Sequence, residues 1–443
     1  MVSRYDIVVI GATGFTGSYI VRAIASSPLF NGKSMAVAGR NESKIHATLK
    51  QISEDIGVPG VSEYHVIISD TSDDESLARM AKQATLIINA VGPFRLHGEP
   101  VVKAAVENGA NYIDVSGEPA YLEKVEMKYA RQARENGVYV VGACGWDSIP
   151  CDLGTDLLKR NFDGTLGYVE AFVKNNFGAS GYSYSSTSYY TLMDSLSSTE
   201  EDNLGQMRRS IMPDRLPKTK FKVPERGLLW KLKENSLQGW ILPFPGADKS
   251  IVQRSQYYDY HVNGKRPFQI STYIAFESLS NALLLGGWMT AFGMLSKFST
   301  MRKLLESYPE QCSFNMFKDS GPTKQQMEES HFEYFFFGRG WYDGDNVDEL
   351  NPNKKVNANH QLRGLKRVAL ALVVCSGPDL GYIGTSGCIA SAALALLDDA
   401  DKLPKQGGVY TTASAFRDTH ILDYLKSFGI TFELIHEKEK SKM

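Results

Sequence analysis

A glycine-rich turn between a short apolar run and an amphipathic run constrains this chain more than any other feature. Tyr5–Ile10 is rich in β-forming residues, the turn follows at once, and residues 19–25 have helical spacing. In a strand–turn–helix unit such glycines permit a tight turn, close approach of a pyrophosphate, and packing of the helix on the strand. The helix amides then face the phosphates. The pattern predicts a dinucleotide-binding loop, with a purely structural turn as the alternative, over Gly11, Ala12, Thr13, Gly14, Phe15, Thr16 and Gly17.

Two basic residues after the second apolar run bear on which dinucleotide would bind. Residues 35–38 are expected to form the second strand, which ends in Gly39-Arg40. This lies about twenty residues beyond the glycine loop, where an NAD site places an acidic residue on the ribose 2′-hydroxyl. An arginine instead pairs with a 2′-phosphate, and Lys44, one helical turn later, adds a second positive charge. The sequence therefore predicts NADP(H) rather than NAD(H), and an ordinary exposed residue is the alternative for Arg40.

Four further apolar runs of strand length follow, and stretches with helical patterns separate them. Strands are expected over 64–68, 85–90, 111–115 and 138–143, with helices over 72–82 and 98–109. This alternation indicates a doubly wound parallel sheet with helices on both faces, a Rossmann-type α/β domain over residues 1–150. Ligands of such sheets bind at the carboxyl ends of the strands. Asp70 is therefore expected on the adenine side, and the nicotinamide-ribose side is expected to be lined by the main chain of Ala90, Val91, Gly92 and Pro93.

Four stretches in the first third of the chain and two near its C-terminus resemble the saccharopine dehydrogenase-like oxidoreductases. These stretches are 11–17, 89–93, 112–118, 145–154, 376–385 and 407–413. The resemblance implies a Rossmann fold with an inserted α/β domain, and the family includes bacterial trans-acting enoyl reductases of lipid synthesis. It does not imply saccharopine as the substrate, because no segment of this sequence is assigned as the amino-acid-binding domain of true saccharopine dehydrogenases.

After residue 150 the pattern changes to apolar runs separated by longer, less regular stretches. Runs at 166–174, 268–276, 332–338 and 365–375 indicate strands, which predicts a mixed, mainly antiparallel sheet in a second α+β domain over 151–375. Residues 379–398 hold 18 uncharged residues between two acids, and small residues dominate them. We expect a buried helix there, so that the C-terminal segment 376–443 packs back on the first domain.

Two features of the second half raise the question of a membrane. Residues 278–296 carry no charge, and as a helix these 19 residues would be about 28 Å long, near the thickness of a bilayer. Their polar and glycine residues disfavour a full span. Upstream, the run 208–234 holds nine Lys/Arg against three Asp/Glu, interleaved with leucines and a tryptophan, which suits an anionic lipid surface. We expect a membrane or lipid-droplet surface as a partner; a buried core helix plus a solvated loop is the alternative.

Composition and short motifs indicate which partners this chain binds and where in the cell it is located. The net charge of −2 lacks the basic excess of nucleic-acid binders. Five cysteines form no C-x-x-C pair and no His/Cys cluster at zinc spacing, so we expect neither disulfides nor a metal. The N-terminus has no secretory pattern. We expect an intracellular, membrane- or lipid-droplet-associated protein, with the cytoplasm as one alternative and, because Ser441-Lys442-Met443 is close to S-K-L, the peroxisome as another. A homo-oligomer is compatible with this sequence.

No residue receives a catalytic role from the sequence. In hydride transfer the nicotinamide carries the chemistry, and the protein supplies orientation and usually a proton donor. No Tyr-x-x-x-Lys pair follows the sheet, and the polar side chains expected near the cleft are Ser116, Glu118, Tyr121, Asp147 and Ser148. A helix cap that holds the loop is the alternative for Asp147, and also for Asp152. The sequence favours an NADP(H)-dependent oxidoreductase that acts on a hydrophobic or lipid-linked substrate. The alternatives are a nucleotide-binding scaffold or sensor without turnover, and an amino-acid dehydrogenase, which would need arginines in the second domain to bind a carboxylate.

Overall fold

The computed structural model describes residues 4–197, 203–218, 223–234, 236–341 and 369–435, with the side chains of 369–371 excepted. Three sequence-based predictions fall wholly or partly outside these residues. They concern the C-terminal tripeptide Ser441-Lys442-Met443, residues 219–222 of the basic run, and the start of the predicted strand 365–375.

A parallel sheet forms from the apolar runs of the N-terminal third. Its first strand is buried on both faces, since its residues 7–10 are at most 1% exposed. Across the sheet the first six strands stand in the order β6-β5-β4-β1-β2-β3, so the order reverses between β1 and β4. Ligands of α/β sheets bind at such a reversal. The strands are β1 (Tyr5–Ile10), β2 (Met35–Gly39), β3 (His65–Ile68), β4 (Ala84–Asn89), β5 (Asn111–Asp114) and β6 (Tyr139–Val141).

Helices cover both faces of this sheet, which confirms the predicted Rossmann-type domain. They are α1 (Phe15–Ser26), α2 (Glu42–Ile56), α3 (Asp74–Ala81), α4 (Phe94–Glu107) and α5 (Pro119–Glu135). The first two pack on one face and the other three on the opposite face. Helix α4 begins before the predicted start at residue 98, because Glu118 accepts hydrogen bonds from the first two amides of the helix.

Helix α6 (Ile149–Arg160) leads into the second half of the chain. The elements that follow are β7 (Thr165–Asn176), β8 (Tyr184–Ser185), α7 (Ser186–Ser197), α8 (Leu204–Ile211), β9 (Trp230–Lys233), β10 (Gln238–Pro243), α9 (Asp248–Asn263), β11 (Gln269–Phe276), α10 (Leu279–Leu295), α11 (Ser299–Ser307), α12 (Pro309–Cys312), β12 (Phe317–Lys318), α13 (Lys324–Glu328), β13 (His331–Trp341), β14 (Ala369–Pro378), α14 (Ile383–Asp398), β15 (Gly408–Tyr410), α15 (Thr412–Phe416), α16 (Ile421–Ser427) and β16 (Thr431–Ile435).

Seven of these strands form a second sheet in the order β16-β14-β13-β7-β11-β10-β9. Neighbouring strands are antiparallel except β7 and β11, which are parallel. The expected mixed, mainly antiparallel sheet is therefore confirmed. Alternate residues of β7 and β13 face α6 and join the large core cluster that also includes α1 and α14, so one face of this sheet packs toward the first domain. Strands β8 and β12 form a separate parallel pair.

The C-terminal segment returns to both sheets. Helix α14 is buried over residues 384–396 and packs on α1, and β15 pairs with β6 as a seventh strand of the first sheet. Strand β16 instead pairs with β14 in the second sheet, so the expectation that all of 376–443 packs on the first domain does not hold for this strand. Pairing there satisfies the backbone groups at the edge of β14. All five cysteines are free thiols.

Helix α10 corresponds to the uncharged stretch of the sequence, and most of it is exposed. Only Ala282 and Phe292 of its 17 residues are buried, so the alternative of a buried core helix is wrong. In the described ranges, no helix is both long enough and apolar enough to cross a membrane. Five apolar side chains of α10, α11 and the turn between them are 49% to 71% exposed: Leu283, Leu284, Met294, Phe298 and Leu304.

Candidate functional site

A cleft of about 660 Å³ runs along the carboxyl edge of the first sheet, between the two halves of the chain. The loops after β1 to β6 form one side, and α7, the β10–α9 loop and the start of α14 form the other. It brings together most of the predicted cofactor residues, namely Gly11, Thr13, Gly14, Phe15, Thr16, Arg40, Ala90, Val91 and Gly92. The other predicted residues do not line the cleft: Ala12, Gly17, Lys44, Asp70 and Pro93.

The glycine loop is a turn in which main-chain segments lie very close together. Gly11 has a φ of +91°, and a Cβ on it would stand 2.9 Å from Cγ2 of Val91. A Cβ on Gly17 would stand 2.1 Å from the carbonyl oxygen of Gly11. The absence of a side chain at Gly17 therefore lets α1 pack closely against the glycine loop. In the described part of the chain no side chain caps α1, and no acidic residue lies in its first turn. The first amides of α1 are therefore left for a ligand, and a helix N-terminus favours an anion.

Arg40 follows β2 at the rim of the same cleft. Its side chain is exposed, and no carboxylate in the described ranges forms an ion pair with it. A guanidinium in this position is free to bind a phosphate with two parallel hydrogen bonds. Lys44 lies in the first turn of α2, where it is exposed and its amide donates to the side chain of the N-cap residue Asn41 at 2.9 Å.

The loop after β3 reaches the cleft, but the predicted residue Asp70 does not line it. The carboxylate of Asp70 accepts hydrogen bonds from the amide and the hydroxyl of Ser72, at 2.9 and 2.8 Å. These bonds, with a contribution from Arg40, hold the pKa of Asp70 below its usual range. Ser69 and Thr71 line the cleft instead. The Ser69 hydroxyl is buried and has no partner among the described residues, which a bound ligand would remedy.

The loop after β4 forms the middle of the cleft floor through residues 90–92, and Pro93 then caps α4. Glu118 reaches this helix from the next loop, and its carboxylate accepts from the amides of Phe94 and Arg95 at 2.9 and 3.0 Å. Burial raises the pKa of Glu118, although these two hydrogen bonds oppose the shift. Glu118 therefore holds the loops after β4 and β5 together at the centre of the cleft.

The other polar candidates divide between the core and the cleft. Ser116, Tyr121 and Ser148 are buried and do not line the cleft. The hydroxyl of Tyr121 donates to the carboxylate of Asp114 at 3.0 Å, inside the first domain. Asp147, in contrast, lies in the cleft wall after β6. Of the polar side chains that the sequence placed near the cleft, the cleft lining thus contains Glu118, which is engaged with α4, and Asp147.

At the end of the cleft away from Arg40, apolar side chains and serine and threonine hydroxyls line the wall together. The ring of Trp146 packs edge-on against Phe244 with their centroids 6.3 Å apart. The indole N–H of Trp146 has no hydrogen-bond partner among the described residues. Arg40, at the opposite end, is the one arginine that lines the cleft within the described part of the chain. The half of the cleft around Trp146, which we call the substrate half, is also lined by Leu192, Phe317, Leu380, Thr187, Ser188, Thr191 and Ser195.

Sequence reasoning missed two groups of lining residues for different reasons. Ser69 and Thr71 flank Asp70 at the end of a predicted strand, so the strand-end rule that selected Asp70 also pointed to them. Phe244 and the α7 residues follow no phosphate-binding motif and no strand of the first sheet. They reach the cleft only because the second domain packs across it.

Comparisons with a family profile, with curated proteins and with solved structures bear on this site. The profile of the saccharopine dehydrogenase NADP binding domain matches residues 7–141. A Caenorhabditis elegans protein named lipid droplet localized protein is 51% identical over 435 residues, which cover 98% of this chain and 99% of that protein. The human saccharopine dehydrogenase-like oxidoreductase is 35% identical over 440 residues, 98% of each chain. Apo saccharopine dehydrogenase (L-Glu forming) from Saccharomyces cerevisiae shares the fold with a TM-score of 0.53 at 12% identity, covering 98% of this chain and 100% of that chain.

Proposed function

Because this chain belongs to the saccharopine dehydrogenase-like oxidoreductase family, we propose that it is an NADP(H)-dependent reductase of a hydrophobic or lipid-linked substrate. Its membership rests on the 35% identity to the human relative, which extends over 98% of each chain. The match to the NADP binding domain gives the cofactor. The substrate class is the new part of the proposal, and its support comes from the second half of the cleft.

The residues of the cleft fit NADP(H) from one end to the other. The N-terminus of α1 and the glycine loop would hold the pyrophosphate, and Arg40 would hold the 2′-phosphate. Ser69 and Thr71 would face the adenosine, and residues 90–92 would face the nicotinamide ribose. When bound, the cofactor supplies the hydride. The chain's own part is to place the substrate beyond residues 90–92 and to exclude water there.

The substrate half of the cleft favours an apolar molecule over an amino acid. An amino-acid dehydrogenase needs a cation to bind the substrate carboxylate, and arginine is the usual choice. Several arginines of the second half are paired within the protein. Arg226 lies 3.0 Å from Glu170, and Arg254 lies 2.5 Å from Glu126. The walls around Trp146 and Phe244 instead suit a hydrocarbon chain that carries a small polar group.

Helix α7 provides the observation that carries the proposal, because it joins the cleft to an exposed apolar surface. Ser188 and Thr191 on one side of the helix line the cleft. Tyr189 on the other side is buried, with its ring centroid 4.8 Å from that of Phe292 in α10, and its hydroxyl donates to the carbonyl of Leu305 in α11 at 3.1 Å. The substrate cleft and the exposed side chains of α10 and α11 are therefore separated by one helix.

We call the exposed apolar side chains of α10 and α11, with Phe298 between them, the lipid-facing surface. Exposed apolar side chains that cluster on a protein surface mark an interaction site. Strand β9, which carries exposed Lys231 and Lys233, pairs with β10, and α10 packs on β10. Apolar and basic residues thus neighbour each other, a combination that favours an anionic lipid surface. The name of the C. elegans relative supports a lipid droplet as this surface.

The proposal is tested by titrating the full-length protein with NADPH and NADH, and then following NADPH consumption. The probes are long-chain α,β-unsaturated ketones and saturated ketones in vesicles of phosphatidylcholine and phosphatidylserine, with short water-soluble ketones as the matched control. We expect NADPH to bind more tightly than NADH and the long-chain probes to be reduced. Tight NADPH binding without consumption of any probe would support the scaffold alternative, and reduction of only the short ketones would contradict the lipid substrate.

A further inference from the structure

Asp147 is held at the substrate end of the cleft between two stretches of main chain. A Cβ on Gly117, in the loop after β5, would stand 2.1 Å from Oδ2 of Asp147. A Cβ on Gly246, in the β10–α9 loop, would stand 2.6 Å from Oδ1. Each carboxyl oxygen therefore occupies space that a glycine leaves open, and the two glycines come from different halves of the chain. This arrangement fixes the carboxyl group in the cleft wall next to Trp146.

The surroundings of Asp147 differ from those of a buried aspartate that serves as a cap. Asp152, one turn further along α6, accepts hydrogen bonds from the amide of Ala413 at 2.7 Å and the hydroxyl of Ser255 at 2.6 Å. Such donors stabilise an ionised carboxylate. No hydrogen-bond donor contacts the carboxyl group of Asp147 within the described ranges. Its environment therefore favours the neutral, protonated acid.

A second carboxyl group, that of Asp248, acts on Asp147 through its charge. Asp248 is fully buried, accepts from the hydroxyl of Tyr334 at 2.8 Å, and has its other oxygen unpartnered among the described residues. Burial and the charge of Asp248 both raise the pKa of Asp147. Burial also raises the pKa of Asp248, against the hydrogen bond from Tyr334, and the charge of Asp152 raises it further. A buried carboxyl group that feels a second negative charge keeps its proton to a higher pH.

We propose that the carboxyl group of Asp147 is the proton donor of the reduction. The proposal rests on the reductase function given above. The substrate carbon accepts the hydride with its electron pair, and the carbon–oxygen π bond breaks, or the carbon–carbon π bond of an enone. The proton leaves the Asp147 oxygen and forms the new O–H or C–H bond. Asp147 remains as a carboxylate and regains a proton from water through the open cleft.

Tyr184 is the rival donor, because it also lines the substrate half of the cleft. Burial raises the pKa of its hydroxyl. Glu118 is a weaker rival, since both its oxygens are engaged with the amides of α4. The variants Asp147→Asn and Tyr184→Phe separate the two donors. Asp163→Asn, at an exposed aspartate far from the cleft lining, is the matched control.

The first test is infrared spectroscopy of the purified protein without cofactor or substrate, at neutral pH. A protonated carboxylic acid has a C=O stretching band that an ionised carboxylate lacks. We expect the difference spectrum between wild type and Asp147→Asn to contain this band, and the spectrum for Asp163→Asn to lack it. Absence of the band in the Asp147→Asn difference would overturn the proposal.

The second test measures NADPH consumption with the long-chain ketone probes. We expect Asp147→Asn to lower kcat by about 10²–10⁴-fold, the usual contribution of a general acid, while NADPH affinity stays unchanged. Asp248→Asn should shift the pH profile of kcat. Retained kcat in Asp147→Asn, or a loss confined to Tyr184→Phe, would overturn the assignment. The infrared band is measured without substrate, so failure of this proposal and failure of the reductase function can be told apart.

Discussion

A Cβ atom on Gly17 would stand 2.1 Å from the carbonyl oxygen of Gly11 and 3.1 Å from Cα of Ala12. The obstacles are main-chain atoms of the phosphate-binding turn, so a side chain at position 17 has to move α1 away from β1. We expect Gly17→Ala to lower the free energy of unfolding by about 1–3 kcal/mol, as overpacking does, and to abolish tight NADPH binding. Urea unfolding and fluorescence titration with NADPH measure the two effects.

Gly60→Ala is the matched control for this substitution. Gly60 belongs to the same domain, and a Cβ on it would meet no atom within 4 Å. This control should bind NADPH as the wild type does. Equal NADPH affinity of Gly17→Ala and Gly60→Ala would mean that α1 does not carry the pyrophosphate.

Arg40 sets the preference between the two dinucleotides if it binds the 2′-phosphate. Arg40→Asp removes a charge-assisted contact worth about 2 kcal/mol or more, which corresponds to roughly a thirtyfold loss of affinity. The loss should appear for NADPH and not for NADH, because only NADPH has the phosphate. The measurement is the ratio of the two dissociation constants. Lys50→Asp reverses a charge on the exposed side of α2 and should leave the ratio unchanged; an unchanged ratio in Arg40→Asp contradicts the assignment.

The lipid-facing surface makes a prediction that does not depend on catalysis. Leu284 and Phe298 are 71% and 64% exposed, and each apolar side chain immersed in lipid contributes roughly 1.5–3 kcal/mol. We expect the double variant Leu284→Glu with Phe298→Glu to lose about tenfold or more in partitioning to phospholipid-coated triglyceride droplets, measured by flotation.

Val262→Glu tests whether any added acid has the same effect. Val262 is 60% exposed on α9, outside the lipid-facing surface. It should float with the droplets as the wild type does. Equal losses in the two variants would show that net charge, and not this surface, controls partitioning.

The first domain could be predicted from the sequence because its signals are local. The turn from 11 to 17, the position of Arg40 and the apolar runs each identify an element by residues close together in the chain. The strand-end rule then placed residues 90–92 at the cleft, where they lie. Asp70 shows the limit of that rule, since it selects the position after a strand but not which side chain turns toward the ligand. Ser72 draws the carboxylate of Asp70 aside.

The second half of the site could not be predicted, because distant segments form it. Trp146 and Phe244 are almost one hundred residues apart in the chain, and no period or motif relates them. The raised pKa of Asp147 comes from its burial and from the charge of Asp248, which are properties of the packed structure. The exposure of α10 could not be predicted either, since an uncharged stretch of this length fits a buried helix and a surface helix equally well. Its neighbours decide, and they cover few of its residues.

Asp248 also predicts how stability depends on pH. Burial raises its pKa to about 7 in the folded protein, from an ordinary value of 3.8. The folded form therefore holds this proton more tightly than the unfolded form, so the contribution to stability is full below the ordinary pKa and is lost as the pH rises through about 7. Its upper limit is about 4 kcal/mol. The free energy of unfolding of the wild type should fall between about pH 5 and about pH 8 by more than that of Asp248→Asn, which keeps an acceptor for Tyr334 but has no proton to lose. Urea unfolding at the two pH values measures the difference, with Asp163→Asn as the control for removing an exposed aspartate. The difference between variant and wild type reports Asp248 together with Asp147, whose pKa its charge raises, and cancels the more distant carboxyl groups that titrate in the same range. Parallel pH dependences would show that Asp248 is ionised in the folded protein at both pH values.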